Sequence, residues 1–283
     1  MISVSTLHEV SDLIQKLKQY YVAICLCGDR KIMNKTIFIT GATSGFGKAI
    51  AHKFAAVGYN CIITGRREDK LFAIADELCK DYGIDVLPLV FDVQNREAVF
   101  TAINGLSDAW QNIDILVNNA GLALGRDSFE NADLDDWDTM IDSNVKGLLY
   151  VSKALLPLMI SRKKGHIFNM GSVAAKQVYK DGNVYCASKQ AVDAISQSMR
   201  IDMLQYGIKV TAIHPGAADT EFALVRYKGD DTKAAKTYEG YEPLHANDIA
   251  DIVFYCATLP AHVCINDLVV TCTAQANGVY FHK

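Results

Sequence analysis

A chain of 283 residues, 50% hydrophobic and 21% charged, is long enough for one large α/β domain and buries a core without disulfide or metal staples. Its formal net charge of −4, with no extended Lys/Arg cluster, excludes a generally basic nucleic-acid binder. No stretch approaches the ~20 apolar residues of a membrane span, and the eight cysteines follow no redox or zinc spacing, which fits a reducing, cytoplasmic setting and no metal site.

In chain order, Leu7, Val10, Ile14 and Leu17 recur at three- and four-residue steps, so residues 1–32 read as an extension with a short amphipathic helix. Met33, just ahead of the first strand, is itself a candidate start, and the domain is expected over 33–283. From there short β-branched, apolar runs alternate with segments of helical period. The expected strands are Thr36–Thr40, Asn60–Thr64, Val86–Phe91, Ile113–Val117, Gly165–Met170, Lys209–His214 and Leu268–Thr273. The expected helices are 45–57, 68–82, 95–105, 135–160, 184–206 and 246–258. Continuous apolar strands separated by helices predict a doubly wound, seven-stranded parallel sheet covered on both faces, a single Rossmann domain.

The first strand-to-helix junction reads Thr40-Gly41-Ala42-Thr43-Ser44-Gly45-Phe46-Gly47. Glycines there allow a tight turn and let the backbone approach a pyrophosphate, which the helix N-terminus favours through its free N–H groups and dipole. The spacing TGxxxGxG resembles the short-chain dehydrogenase/reductase superfamily. At the end of the second strand an NAD site carries an acid for the ribose hydroxyls. This chain has Gly65-Arg66-Arg67 instead. A carboxylate would repel a 2′-phosphate, whereas a guanidinium grips it with paired bonds, so NADP is the expected cofactor. After the third strand, Asp92-Val93 matches the pair that the superfamily sets against the adenine, and Asp92 is also a candidate cap for helix 95–105. Asn118-Asn119-Ala120-Gly121 follows the fourth strand and matches the NNAG motif.

Tyr185 and Lys189 lie at i and i+4, on one face of a helix about a turn apart. An ammonium ~5 Å from a phenol, at an effective dielectric of ~20, favours the phenolate by roughly 3 kcal/mol, or about two pKa units. That predicts a tyrosine able to exchange a proton with an alcohol or carbonyl. Ser172 lies just past the fifth strand, where its hydroxyl can polarise the reacting oxygen. By resemblance, Asn144 is the helix asparagine of the proton relay, Lys189 also holds the nicotinamide ribose, and Pro215-Gly216 with Thr220 is the segment flanking the nicotinamide.

The stretches Asn118–Gly125, Asn183–Lys189, Thr220–Asp231 and Thr258–Asn266 resemble the NADP-dependent 3-hydroxy acid dehydrogenases. The resemblance implies hydride transfer between NADP and the 3-position of a small 3-hydroxy acid such as serine, L-allo-threonine or 3-hydroxypropionate. It also implies a substrate loop at about 217–242 and a homotetramer. The segment after Pro215 is one residue shorter than the branch pattern, and Lys176 replaces a small residue. The alternatives are a carbonyl reductase of uncharged ketones and a non-catalytic NADP sensor. A carboxylate substrate needs a cation, since an unpaired buried charge is costly. Arg226, in the loop after Thr220, is the favoured candidate. Lys176 is the second, although a solvated loop charge describes it better.

Overall fold

The computed structural model describes residues 35–283; the helix expected at Leu7 to Leu17 and the boundary at Met33 lie outside them. Alternation along the first strand shows how the sheet acquires two covered faces. In β1 (Thr36–Ile39), Ile37 and Ile39 enter one apolar layer and Phe38 the other, all fully buried, because successive strand residues point oppositely. The same pattern runs through β2 (Asn60–Gly65), β3 (Val86–Val90), β4 (Ile113–Asn118), β5 (Gly165–Met170) and β6 (Ile208–Pro215), while β7 (Asp267–Val270), at the edge of the sheet, alternates exposed and half-buried residues. All pair in parallel, in the order β3-β2-β1-β4-β5-β6-β7.

On one face lie α1 (Gly45–Ala55), α2 (Glu68–Tyr82) and, from the far end of the chain, Ala246–Thr258. Their Phe54, Leu78 and Val253 pack on Ile37, Ile63 and Val117. The opposite layer sets Val99, Leu155 and Met199 against Phe38, Leu116 and Ile167. Those three residues come from α3 (Arg96–Asn104), from Leu148–Arg162 and from Asn183–Met203. Strand order reverses between β1 and β4, the switch point at which doubly wound sheets open a ligand crevice beyond their strand ends.

Three elements differ from expectation. The helix expected at 135–160 is two, α4 (Leu134–Ile141) and α5 (Leu148–Arg162), joined by a π-helical turn at Asp142–Gly147. The cause is tertiary. The Asn144 carboxamide accepts from the Leu122 N–H and donates to the Leu122 carbonyl, both at 2.8 Å, so the helix backbone yields to place that side chain. The last strand stops at Val270, three residues earlier than expected, where the Val270 carbonyl accepts from the Gly216 N–H at 2.7 Å and the chain turns away.

Past α6 (Asn183–Met203) and β6, the loop expected at 217–242 holds two one-turn helices, α7 (Glu221–Arg226) and α8 (Asp231–Lys236). Each is capped by its preceding side chain: Thr220 accepts from the Phe222 N–H and Asp230 from the Lys233 N–H. A short strand pair, Ala218–Asp219 with Leu244–His245, closes the loop onto α9 (Ala246–Thr258). Among the described residues, no helix is long and apolar enough to cross a membrane.

Candidate active site

A cleft of about 760 Å³ runs along the carboxyl ends of the strands. Its floor depends on backbone contacts too tight for side chains. Gly41 has φ +66°, and a Cβ on it would fall 2.9 Å from the Ala120 Cα. A Cβ on Gly47 would fall 2.3 Å from the Gly41 carbonyl oxygen. Gly47 therefore lies behind the lining and sets how close α1 comes to the β1 turn, while Gly41, Thr43, Ser44, Gly45 and Phe46 face the cleft. The second wall, Asn119, Ala120 and Gly121, is clamped to the first. Thr40 Oγ1 accepts from the N–H groups of Asn119 and Ala120, at 3.0 and 2.9 Å. The Asn119 Nδ2 donates back to the carbonyls of Thr40 and Gly41.

At one end of the cleft stand Arg66, Arg67, Asp92 and Val93. Arg66 pairs with Asp92 at 3.3 Å; Arg67 pairs with Glu221 at 2.6 Å and donates to Thr43 Oγ1. The cap of α3 is Asn95, which accepts from the Ala98 N–H, so the alternative role of Asp92 as helix cap falls away. A Rossmann cradle ending in two exposed guanidinium groups fits a dinucleotide that carries a further phosphate.

At the other end Ser172, Tyr185 and Lys189 converge, beside Pro215, Gly216 and Thr220. The Ser172 hydroxyl faces the Tyr185 phenol and favours its charged form. Lys189 Nζ lies 6.0 Å from the Tyr185 ring centroid and donates to the Met170 carbonyl at 2.9 Å. Asn144 is one layer behind, bonded to Leu122 and donating to Ser188 Oγ at 3.0 Å.

Burial governs the electrostatics here. It pushes the Tyr185 phenol well above its usual value, while the Ser172 hydroxyl and the Arg226 guanidinium pull it partly back. It pushes Lys189 down to about 8. The expectation that Lys189 brings the phenol down is thus reversed: desolvation of the phenolate dominates, and the cation that opposes it is Arg226, not Lys189.

Arg226, at the end of α7, lies in the cleft with its guanidinium carbon 5.5 Å from the Tyr185 ring centroid. It donates to Tyr179 Oη at 3.0 Å and to the Gly125 carbonyl at 3.4 Å, and its Nη2 is buried with no hydrogen-bond partner. Lys176 does not line the cleft. Its ammonium pairs with Asp193 and Asp267, at 2.8 and 2.6 Å, which removes the reason to assign it to substrate. Tyr179, Tyr238, Gln275 and Phe281 also line the substrate end, and sequence reasoning passed them over. Tyr179 carried a signal as a polar aromatic in the loop between Ser172 and Tyr185, and Tyr238 as part of the expected substrate loop at 217–242. Gln275 and Phe281 reach the cleft only through the packing of the chain's end.

The chain belongs to the short chain dehydrogenase family, whose sequence profile matches residues 35–230. It is an oxidoreductase of that class. It is 46% identical over 249 residues to the NADP-dependent 3-hydroxy acid dehydrogenase YdfG of Salmonella typhi, covering 87% of this chain and 99% of the relative. It is 45% identical to sulfoacetaldehyde reductase 2 of Chromohalobacter salexigens, over 86% of this chain and 96% of that one. Among solved structures, the closed form of a serine dehydrogenase complexed with NADP+ superposes with a TM-score of 0.82 at 44% identity, over 88% of this chain and 99% of that one.

The lowered affinity of Lys189 for its proton has a measurable consequence. Folded, it titrates at about 8 against its usual 10.5, so between these values the unfolded chain binds more protons and stability rises with pH. The unfolding free energy of the wild type, relative to Lys189→Met, should therefore grow from about pH 8 to about pH 10. A difference that stays flat across that window would mean that Lys189 keeps its charge.

Proposed function

We propose that this enzyme transfers a hydride between NADP and the 3-position of a small 3-hydroxy acid of the serine, L-allo-threonine or 3-hydroxypropionate type. The observation that carries the reading is the Arg226 guanidinium, half-buried at the cleft beside Tyr185 with its Nη2 enclosed and unpartnered. A half-buried cation with a spare donor suits an anionic group on the substrate, held a few bonds from the reacting carbon, and not an uncharged ketone. The names of the relatives agree with an anionic substrate. A sulfonate has the same charge, and isethionate belongs in the same substrate panel.

NADP, when bound, supplies or accepts the hydride. Gly41, Thr43, Ser44, Gly45, Phe46, Asn119, Ala120 and Gly121 line its path, and Asp92 and Val93 flank the adenine. Arg66 and Arg67 take the 2′-phosphate, and Pro215, Gly216 and Thr220 border the nicotinamide. Tyr185 exchanges the proton of the reacting hydroxyl, and Ser172 polarises the same oxygen. Lys189 holds the ribose and passes the proton on; Asn144 supports this relay by fixing Leu122 and Ser188 around it. Burial keeps the Tyr185 proton in place, which suits donation to a carbonyl in the reductive direction. The complete set argues against a sensor that binds NADP without turnover. We take the enzyme to act in the cytoplasm as a homotetramer. Buried thiols such as Cys61 and Cys256 support the first, and the outward small-residue face of α6, with Ala187, Ala194 and Ser198 exposed, supports the second.

Three measurements test this reading. Arg66→Ala should raise KM for NADPH and leave that for NADH nearly unchanged; equal effects would detach Arg66 from the phosphate. Tyr185→Phe should abolish turnover while NADPH still binds, and retention of roughly a tenth of wild-type kcat would assign the proton transfer to another group. Arg226→Ala should lower kcat/KM for L-serine or 3-hydroxypropionate about 10- to 150-fold, the loss of one charge-assisted contact of ~1.5–3 kcal/mol, and spare a neutral alcohol. A parallel fall for both substrates would make Arg226 an organiser of the loop.

A further inference from the structure

Behind Ser172, on the side away from the cleft, stands an imidazole with no exposed surface. His214 is the penultimate residue of β6, and its Nδ1 lies 3.3 Å from the Ser172 carbonyl. A carbonyl only accepts, so Nδ1 carries the proton in this contact. The ring fits because residue 171 is glycine: a Cβ there would fall 2.3 Å from Nδ1.

The other nitrogen, Nε2, has no hydrogen-bond partner and faces two carboxylates, Asp267 at 3.3 Å and Asp193 at 3.7 Å. Lys176 bridges those carboxylates, and its backbone N–H returns to the Val173 carbonyl, in the turn that Ser172 opens. Asp193, His214 and Asp267 offer ligand atoms within 4.8 Å of one another, a spacing that could hold a metal ion, but the Lys176 ammonium already bridges both acids. The ring of contacts therefore carries its own cation. It ties together the serine turn, β6, β7 and α6, the last at Asp193, one helical turn beyond Lys189.

We infer that His214 is a positioning residue: its Nδ1–H holds the Ser172 peptide, and Lys176, by pairing with Asp193 and Asp267, keeps those carboxylates from drawing the proton to Nε2. Burial and the Lys176 ammonium keep the imidazole's proton affinity below the usual 6.5, against the pull of Asp267 and Asp193, so at neutral pH one proton is present and Ser172 takes it. The serine then has both ends restrained. Its carbonyl is held by His214, and its Oγ accepts from the Ala174 N–H at 3.2 Å. Sites of this kind tolerate displacements of only about 0.5 Å, and a shift of about 1 Å costs on the order of a hundredfold in rate.

The inference rests on the proposed role of Ser172, and the experiment separates the two. His214→Leu keeps the volume and removes the donor; His214→Asn keeps an N–H near the Nδ1 position. With L-serine, the Leu variant should lose roughly 10- to 100-fold in kcat, while the Kd for NADPH, read by nucleotide fluorescence, stays within about twofold. The Asn variant should recover most of that loss. A Leu variant with wild-type kcat, or an Asn variant no better than Leu, overturns the inference. Should the Leu variant fail to fold, Lys176→Met tests the ring from its half-exposed end. It should lower kcat several-fold at unchanged NADPH affinity, and wild-type kcat there also overturns the inference. Ser172→Ala distinguishes the levels. If it is as active as wild type, the functional reading of Ser172 is wrong; if it is inactive while His214→Leu is fully active, only the role of His214 falls.

Discussion

The cleft exists because two chain segments meet without side chains between them. Where β1 and β4 part, the turn at Gly41 lies against Ala120, and Gly47 brings the first turn of α1 down onto the Gly41 carbonyl. Thr40 and Asn119 lock this approach with four hydrogen bonds that satisfy backbone groups on both walls. A methyl group at Gly41 or Gly47 would force the walls apart by an ångström or so. It would tilt α1 away from β1 and shift the strand ends that carry the Asn119–Gly121 segment. The distance between the arginine pair at one end and Ser172, Tyr185 and Lys189 at the other is set by that lock.

Within the frame so fixed, water exclusion decides protonation. The simple estimate of a phenol beside an ammonium puts the tyrosine on the way to phenolate. Enclosure reverses it, because Tyr185 and Lys189 are both buried and each resists its own charged form. The two shifts are complementary. Burial thus favours the neutral lysine and the neutral phenol alike in one enclosed pocket. Groups outside the pair soften the cost: the Met170 carbonyl accepts from Lys189, and the Arg226 guanidinium faces the Tyr185 ring.

Most of the fold was legible because the sheet is buried on both faces. Strands such as Thr36–Ile39 then read as uninterrupted apolar runs, and the helices between them keep a 3.6-residue period. The dinucleotide turn and the Tyr185/Lys189 spacing were legible because their chemistry is local in sequence. The features that escaped are those fixed by distant partners. The π-turn answers a demand from Leu122, 22 positions from Asn144. Lys176 is claimed by Asp193 and by Asp267, the latter 91 positions away, and nothing near Lys176 announces either acid. The helices α7 and α8 have six residues each, too short for a period to register. Tyr179 acquires its meaning only once Arg226, 47 positions on, is bonded to it.

The two ends of the cleft hold their arginines in different ways, and the difference follows from exposure. Arg66 and Arg67 are about half exposed and lean on carboxylates, Asp92 and Glu221. Such pairs contribute only about 0–1 kcal/mol each, so either arginine can leave its carboxylate at little cost. Glu221 opens α7, the same short helix that ends in Arg226, so the contacts of the arginine pair and the position of Arg226 share one element. Arg226 itself is held differently. Its Nη1 and Nε are occupied by Tyr179 and Gly125, its own carbonyl accepts from the Gly125 N–H, and only Nη2 remains unpartnered. A cation restrained on three sides selects by geometry as well as by charge. The position of the guanidinium is therefore tied to the packing of α7 against the Gly125 loop.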